Sequence, residues 1–455
     1  MASQGRACAC LLCLVWTAGH LGAQVIERLS VDSAGFEAAN GGGVTESKRV
    51  ASADGRFVVF GSDSGNLVVD DTNGMQDVFL RDRVLGTTVR ISVNKDDGGD
   101  ASGASDHPVI SENGRFIAFR STADDLVEGD GNGMMDIFAW DSVTGSMTRV
   151  SVAVGGGDPN GASNLPSISG DGRYVTFISA ATNLVAGGAN DNQDVYVYDQ
   201  FLAETTLVSV RPGGVRTDGS SRHPVLSADG RHIAFSCIDD GLVPGDTNSQ
   251  RDIFVSDLES GTIERVSVST TGGEGDAQNG APSISADGMV VAWWSRATNL
   301  VEDDTNGQDD ILVHDRVAGT TTRVNVSSSG AQAEGGGSWH VSISDDGRFV
   351  AFCSDAHNLV DDDTGLAGGV FSHDRWTGIT RRHSVTRTGE EGWDYSRRPG
   401  LTADGAFVVF ESGASNFVPD DTNAAQDVFI AWGPATVCCD DFESGDLTGW
   451  SSATN

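Results

Sequence analysis

Helical periodicity, proline and positive charge are what this chain of 455 residues has least of. No segment long enough for an ordinary helix gathers apolar residues on one helical face, which excludes bundles and helix-wrapped parallel sheets. Proline occurs 10 times against 59 glycines. Val, Ile, Phe and Thr recur in short runs between glycine-rich turns, the composition of an all-β fold. Lys and Arg number 29 against 65 Asp and Glu, a net charge of 29 − 65 = −36. That field repels phosphate backbones and anionic lipid surfaces, so nucleic acid is excluded as an expected partner. It suits divalent cations, and it also keeps an exported protein soluble.

Long apolar runs and pairable cysteines are scarce too. The one apolar run of note, residues 7–18, is too short to span a bilayer. With Arg6 before it and Gly22-Ala23 after it, residues 1–23 read as a secretory signal cut before Gln24. Of seven cysteines, Cys8, Cys10 and Cys13 lie in that signal, and Cys438 and Cys439 are adjacent near the end. Cys237 and Cys353 fall on equivalent strands two repeats apart, too distant to bridge. No disulfide framework is expected.

What is abundant is repetition. The phrase S-x-D-G-R-hydrophobic-x-x-Phe begins at Ser52, Ser111, Ser169, Ser227, Ser285, Ser344 and Thr402. The starts lie 59, 58, 58, 58, 59 and 58 residues apart, the mark of one supersecondary unit copied around or along an axis. The second copy shows the unit. HPVIS (107–111) is a strand, Glu112-Asn113-Gly114 a tight turn, and RFIAFR (115–120) a second strand. A long acidic loop follows, then DIFAWD (136–141), a turn, and MTRVSV (147–152). Four antiparallel strands per repeat make a propeller blade. The last repeat lacks its fourth strand, and VIERLSV (25–31) at the mature N-terminus matches the missing piece. The reading is therefore an all-β, seven-bladed β-propeller over residues 24–433, closed by the N-terminal strand completing the last blade. Residues 434–455 form a separate tail.

SADGRFVVF, SENGRFIAF, SGDGRYVTF, SADGRHIAF and SDDGRFVAF resemble the repeat of TolB-like, WD-repeat-like propellers. The resemblance spans residues 24 to 433 and implies the fold. It does not hand over a function, because that family ranges from periplasmic scaffolds to lyase propellers. The tail segment CCDDFESGDLTGWSS resembles short C-terminal segments of secreted bacterial proteins, which implies export.

Two constellations are candidates for chemistry. Both fall on the face that carries the long second-to-third and fourth-to-first connections. The first is a D-x-N-x-x-x-D loop before the third strand: Asp71/Asn73/Asp77, Asp130/Asn132/Asp136, Asp246/Asn248/Asp252, Asp304/Asn306/Asp310 and Asp421/Asn423/Asp427. Blade 3 has Gly188 in place of the first Asp; blade 6 keeps Asp363 but has Gly365 and Gly369. Alternating side-chain oxygens closed by a carboxylate suit structural Ca²⁺, and the same spacing suits metal-free Asx-turns. The second lies at the entry of the innermost strand. It reads Lys48, His107, Leu165, His223, Ala281, His340 and Arg398, with Arg222, Trp339 and Arg397 one place earlier in their blades. A cationic channel mouth with an aromatic wall suits an anionic or sugar-like ligand; residues free of any packing duty would drift to the same pattern. The repeated Ser/Thr openers and the Asp residues that close the third strand, Asp82 and its equivalents, are read as turn residues.

The reading is an exported monomer that binds an anionic ligand or a protein partner and is not catalytic. The alternative is an extracellular polysaccharide lyase or hydrolase working through His107, His223, His340 and Arg398.

Overall fold

The repeat closes into a ring because each copy leaves something for the next to cover. A computed structural model describes residues 25–44, 49–187, 192–365 and 367–433. Residues 1–23, where a signal is expected, residues 434–455, Lys48 and Gly188 lie outside the described residues. Blade 2 consists of strands Ser105–Ile110, Phe116–Ser121, Asp136–Asp141 and Met147–Arg149, paired antiparallel in that order from the channel outward. Blades 3 to 6 repeat the arrangement. In blade 1 the described part of the innermost strand is a bridge, Ala51 to Val58. In blade 7 the order is Ser396–Leu401, Phe407–Ser412, Asp427–Trp432 and then Ile26–Arg28. Ile26 faces Ala431, Glu27 faces Ile430 and Arg28 faces Phe429, so the chain closes on its own beginning.

The two phenylalanines of each repeat explain one another. Phe60 pairs directly across the ladder with Phe79, and their rings lie 5.6 Å apart. Phe119 and Phe138, Phe235 and Phe254, and Phe352 and Phe371 do the same at 5.9, 5.9 and 6.0 Å. All eight rings are fully buried, so truncating one removes about 3–5 kcal/mol. Blade 5 uses Trp293 instead, and its Nε1 donates to Asn279 Oδ1 at 2.9 Å, so the buried indole is satisfied.

The glycine of S-x-D-G-R is needed twice over. Gly114 has φ 71°, and a Cβ there would lie 2.6 Å from Phe57 of the preceding blade. Gly55 makes the same contact with Phe407, which carries the packing across the closure from blade 7 to blade 1. The opening serine binds the turn: Ser52 Oγ accepts from Phe57 N at 3.0 Å and donates to Asp54 at 2.6 Å. Asp82 accepts from Val84 N at 2.9 Å and holds the Arg56 guanidinium at 2.7 Å.

Candidate binding face

The acidic loops surround arginines. The arginine of the fourth strand, Arg90 in blade 1, turns back into the D-x-N-x-x-x-D loop. Its Nη1 lies 3.1 Å from Asp71, 3.5 Å from Asp77 and 2.7 Å from Asp100. Arg149 in blade 2 lies 2.9 Å from Asp130 and 3.8 Å from Asp136. Arg265 in blade 4 lies 2.8 Å from Asp246 and 3.6 Å from Asp252. Arg323 in blade 5 lies 3.7 Å from Asp304 and 3.2 Å from Asp310. Arg28 in blade 7 lies 3.5 Å from both Asp421 and Asp427, and Arg382 in blade 6 lies 2.9 Å from Asp363. Blade 3 has Leu207 where the others have arginine, and Arg216 from a downstream hairpin reaches Asp194 at 3.1 Å instead.

The asparagines are committed as well. The Oδ1 atoms expected to face a metal accept backbone amides two residues on, as Asx-turns do. Asn73 takes Met75 N at 2.7 Å, and Asn132 takes Met134 N at 2.8 Å. Asn248 takes Gln250 N at 2.9 Å, Asn306 takes Gln308 N at 2.8 Å, and Asn423 takes Ala425 N at 2.9 Å. Their Nδ2 groups donate: Asn248 to Asp252 at 2.9 Å, Asn423 to Asp427 at 3.1 Å, and Asn306 to Ala333 O at 3.0 Å. A donating amide nitrogen is no ligand for a cation. The strand-opening aspartate is tied from its other side too. Ser92 Oγ donates to Asp77 and accepts Val78 N, so the serine of R-I-S-V completes the cage. In blade 5 an asparagine replaces that serine, and Asn325 Nδ2 donates to Asp310 at 2.7 Å.

Among the described residues no three His, Cys, Asp or Glu side chains are grouped to hold a metal ion. The five acid–asparagine–acid sets are open by spacing to structural Ca²⁺ or to metal-free Asx-turns, and their amide oxygens take the Asx-turn form. Their carboxylates converge on a guanidinium and their amide oxygens on the backbone. The physical reason is reach: the fourth strand runs antiparallel to the third, and its long arginine stem folds back over the loop.

In blades 1, 2, 4 and 7 two acids of the D-x-N-x-x-x-D loop face one arginine, and burial raises both. Burial pushes Asp136 up to about 6 against its hydrogen bonds from Ser151 and Asn132. Asp246 and Asp421 are likewise pushed to about 6, by burial and then by the neighbouring Asp252 and Asp427. These groups hold extra protons in the folded state, so they favour folding at low pH and lose that contribution as pH rises through about 6. Asp141 and Asp257 are held below the usual range by Arg115 and Arg231, and they lose their contribution on acidification below about pH 4. The melting temperature is therefore expected to peak near pH 4, between the recovery of the lowered acids and the loss that runs from about pH 4 to about pH 6 for the raised ones. A melt series from pH 3 to pH 8 that rose monotonically to neutrality would contradict the assignment.

The channel is narrow at the end bearing the short turns. Arg49 spans it, bonded to Glu112 and 3.6 Å from Asp345. Residues of all seven blades line the remaining cavity, whose volume is about 30 Å³, room for a water or two. In the other blades the positions of Glu112 and Asp345 are alanine or glycine. A Cβ at Gly170 would lie 2.8 Å from the Glu112 carboxyl, so a larger residue there would displace that side chain. This end of the channel leaves room for nothing larger than water.

On that face the mouth residues share one backbone feature. His107, Leu165, His223, Ala281, His340 and Arg398 all have φ between 45° and 53°, at a register shift of the innermost strand. Because Leu165 and Ala281 share it, the strain belongs to the blade and marks no site by itself. The side chains separate into distinct groups. His107 and Arg398 line a pocket of about 580 Å³ with Asp106, Arg120, Glu411 and the Gly41–Gly43 backbone. Arg398 pairs with Glu411 at 2.9 Å, and Arg120 pairs with Asp106. Burial raises the Asp106 carboxyl, but Arg120 and His107 outweigh it and hold the group at about 2. Burial pushes Glu411 up against the pull of Arg398. Trp339, His340 and Arg397 line a second pocket of about 210 Å³.

Arg222 and His223 lie on blade 4 near Arg251. The sequence reading missed Arg251 because it precedes the third strand of its blade rather than the first. Its Nη1 donates to Ser220 O at 3.1 Å. Burial, and next the charge of Arg222, lower the Arg251 pKa. Among the described residues, no carboxylate is ion-paired with Arg222, Arg251 or Arg397. Part of the mouth is thus internally neutralised; Arg397 on blade 7 lies in the field of Asp355 and Glu411, whereas Arg251 on blade 4 has the like charge of Arg222 beside it.

No protein-family model matches the chain, and no curated protein matches it by sequence. Solved structures do match. An oligogalacturonate lyase in complex with manganese aligns over 90% of this chain and 93% of its own, at 12% identity and a TM-score of 0.53. TolB from Acinetobacter baumannii aligns over 67% of this chain and 58% of its own, at 15% identity and a TM-score of 0.38. A TolB from Agrobacterium tumefaciens aligns over 76% and 94%, at 16% identity and a TM-score of 0.40. Seven blades of antiparallel strands, closed by the N-terminal strand, make the chain a β-propeller, similar in fold to the oligogalacturonate lyase structure.

Proposed function

We propose that the protein is an exported, non-catalytic propeller that binds an anionic, sugar-like ligand through its long-loop face. One observation carries the reading. In a chain of net charge −36, Arg222, Arg251 and Arg397 sit at the mouth with no ion-paired carboxylate among the described residues. Arg251 is partly buried beside a like charge, an arrangement that a bound anion relieves. Among the described residues no helix is long and apolar enough to cross a membrane, and the N-terminal signal is the basis for export.

The test is calorimetric titration with a panel of acidic and neutral oligosaccharides. Acidic ones are expected to bind, more weakly at high salt. Arg222→Ala with Arg251→Ala should weaken them at least about tenfold, since each charge-assisted contact contributes about 1.5–3 kcal/mol. Equal affinity for neutral and acidic sugars, or an unaffected double variant, would refute the reading. The second reading is a lyase or hydrolase, and Glu411 favours it: a buried carboxyl of raised pKa in one pocket with His107 and Arg398. Assaying the same panel for bond cleavage separates the two.

A further inference from the structure

The repeat breaks in one place where a pocket opens. The residue just before the third strand is Gln76, Met135, Gln193, Arg251, Asp309, Gly368 and Gln426 in blades 1 to 7. Only blade 6 has glycine. A Cβ at Gly368 would lie 2.2 Å from Asp355 Oδ1 and 3.0 Å from Tyr395 Cδ1, so any larger residue intrudes on the space between those two side chains. The same blade has lost the asparagine and the strand-opening aspartate of its loop, as Gly365 and Gly369. The space so opened is the pocket of about 210 Å³ between blades 6 and 7, the size of a single six-membered ring rather than of a protein side-chain cluster.

Its walls are set before any ligand arrives. The Trp339 indole is fixed from the neighbouring blade, its Nε1 donating to Asp309 Oδ2 at 2.8 Å. Tyr395 stands on the facing loop, 45% exposed, and the Arg397 guanidinium lies 5.2 Å from its ring centroid. The polar lining has both signs: Asp355 can accept from hydroxyls, and Arg397 can donate to them. Burial raises the Asp355 carboxyl against the pull of Arg397, which places the two charges within each other's field. Two aromatic walls with a paired acceptor and donor match a pyranose, whose C–H face is apolar and whose rim is hydroxylated. Two residues before Tyr395, Trp393 is 76% exposed, and its backbone is anchored by Trp393 N donating to Asn416 Oδ1 at 3.0 Å.

The geometry points to a sugar-ring subsite between blades 6 and 7. One ring of an oligosaccharide enters beside Trp339 and Tyr395, its hydroxyls bridge Asp355 and Arg397, and the next ring lies over Trp393. This rests on the reading that the mouth takes a sugar-like ligand, and it assigns ring recognition to a place separate from the Arg222–Arg251 charge pair.

The experiment is titration of the full-length exported protein with oligouronides of two to six residues, followed by calorimetry and by tryptophan fluorescence. Tyr395→Ala and Gly368→Gln, the second restoring the residue of blades 1, 3 and 7, are each expected to weaken binding about tenfold, one aromatic contact's worth. Trp393→Ala is expected to weaken only the longer oligomers. Tyr395 is partly exposed, so that variant should keep the wild-type circular dichroism and melt even if Gly368→Gln does not fold. Unchanged affinity in Tyr395→Ala, with Arg222→Ala still weakening binding, overturns the subsite and leaves the proposed function standing. A wild-type protein that binds no oligosaccharide of the panel overturns both.

Discussion

Removing residues 25–31 is expected to abolish the cooperative melt. Ile26 and Leu29 are fully buried in the core shared by the closing blade and its neighbours, each worth about 1.5–3 kcal/mol. Arg28 is the cation of the blade 7 cage, 2.8 Å from Glu37 and 3.5 Å from both Asp421 and Asp427. Stranding those acids costs a further 3–5 kcal/mol or so. Glu27 also bonds Arg83 of blade 1 at 2.8 Å, so the deletion cuts a tie across the closure. The total is comparable to the whole stability of a domain. The strand Asp427–Trp432 then becomes an open edge, and self-association should follow. Calorimetry and size-exclusion chromatography read both effects, and excess peptide of residues 25–31 should reverse them. A truncated chain that melts like the intact one would show that the N-terminal strand does not close the ring.

Arg149→Met is expected to cost about 3–5 kcal/mol at pH 7, the penalty for stranding buried carboxylates. Methionine keeps the apolar stem while removing the charge that lies 2.9 Å from Asp130 and 2.8 Å from Asp158. The loss should shrink near pH 5, where Asp136, pushed up to about 6, is protonated. Adding Asp130→Asn should recover part of it, which separates charge from packing. The same melts decide the calcium question. With arginine filling the cage, a chelator is expected to leave the wild-type melt unchanged, and calcium to raise only the Arg149→Met melt. A wild-type melt that falls with chelator and returns with calcium would make Ca²⁺ the resident cation.

How much of this was legible in the repeat depends on the range of the interaction. Strand positions, turn types and blade number follow from neighbours a few residues apart, and seven copies average out the ambiguity of any one. Strand ends moved slightly: the innermost strand of blade 2 spans Ser105–Ile110 rather than 107–111, because its register shifts at the residue before Pro108. The ring closure was legible only because two half-repeats at opposite ends complete each other. The Asx-turns of Asn73, Asn248 and Asn423 were legible too, since each joins residues two apart. The cage was not. Its acids and its arginine stand 13 to 19 residues apart in blades 1 and 2, as Asp77–Arg90 and Asp130–Arg149, and the hairpin folds them together. The clue was present in the arginine before I-S-V or V-S-V in most repeats, but an acid-rich loop read alone asks for any cation.

The same limit governs the mouth. Sequence alignment of the blades identified which positions rim the channel, since equivalent positions occupy equivalent places. It treated those residues as one cationic set. Tertiary structure divided them, because a charge is defined by its partners. Arg398 meets Glu411 from an adjacent strand and Arg120 meets Asp106, whereas Arg251 meets a backbone carbonyl and another guanidinium. A periodic sequence by itself determines a periodic backbone, through local turn chemistry and the alternation of buried and exposed positions. Which side chains remain available to bind is a matter of contacts between strands and between blades. Only the folded ring decides that.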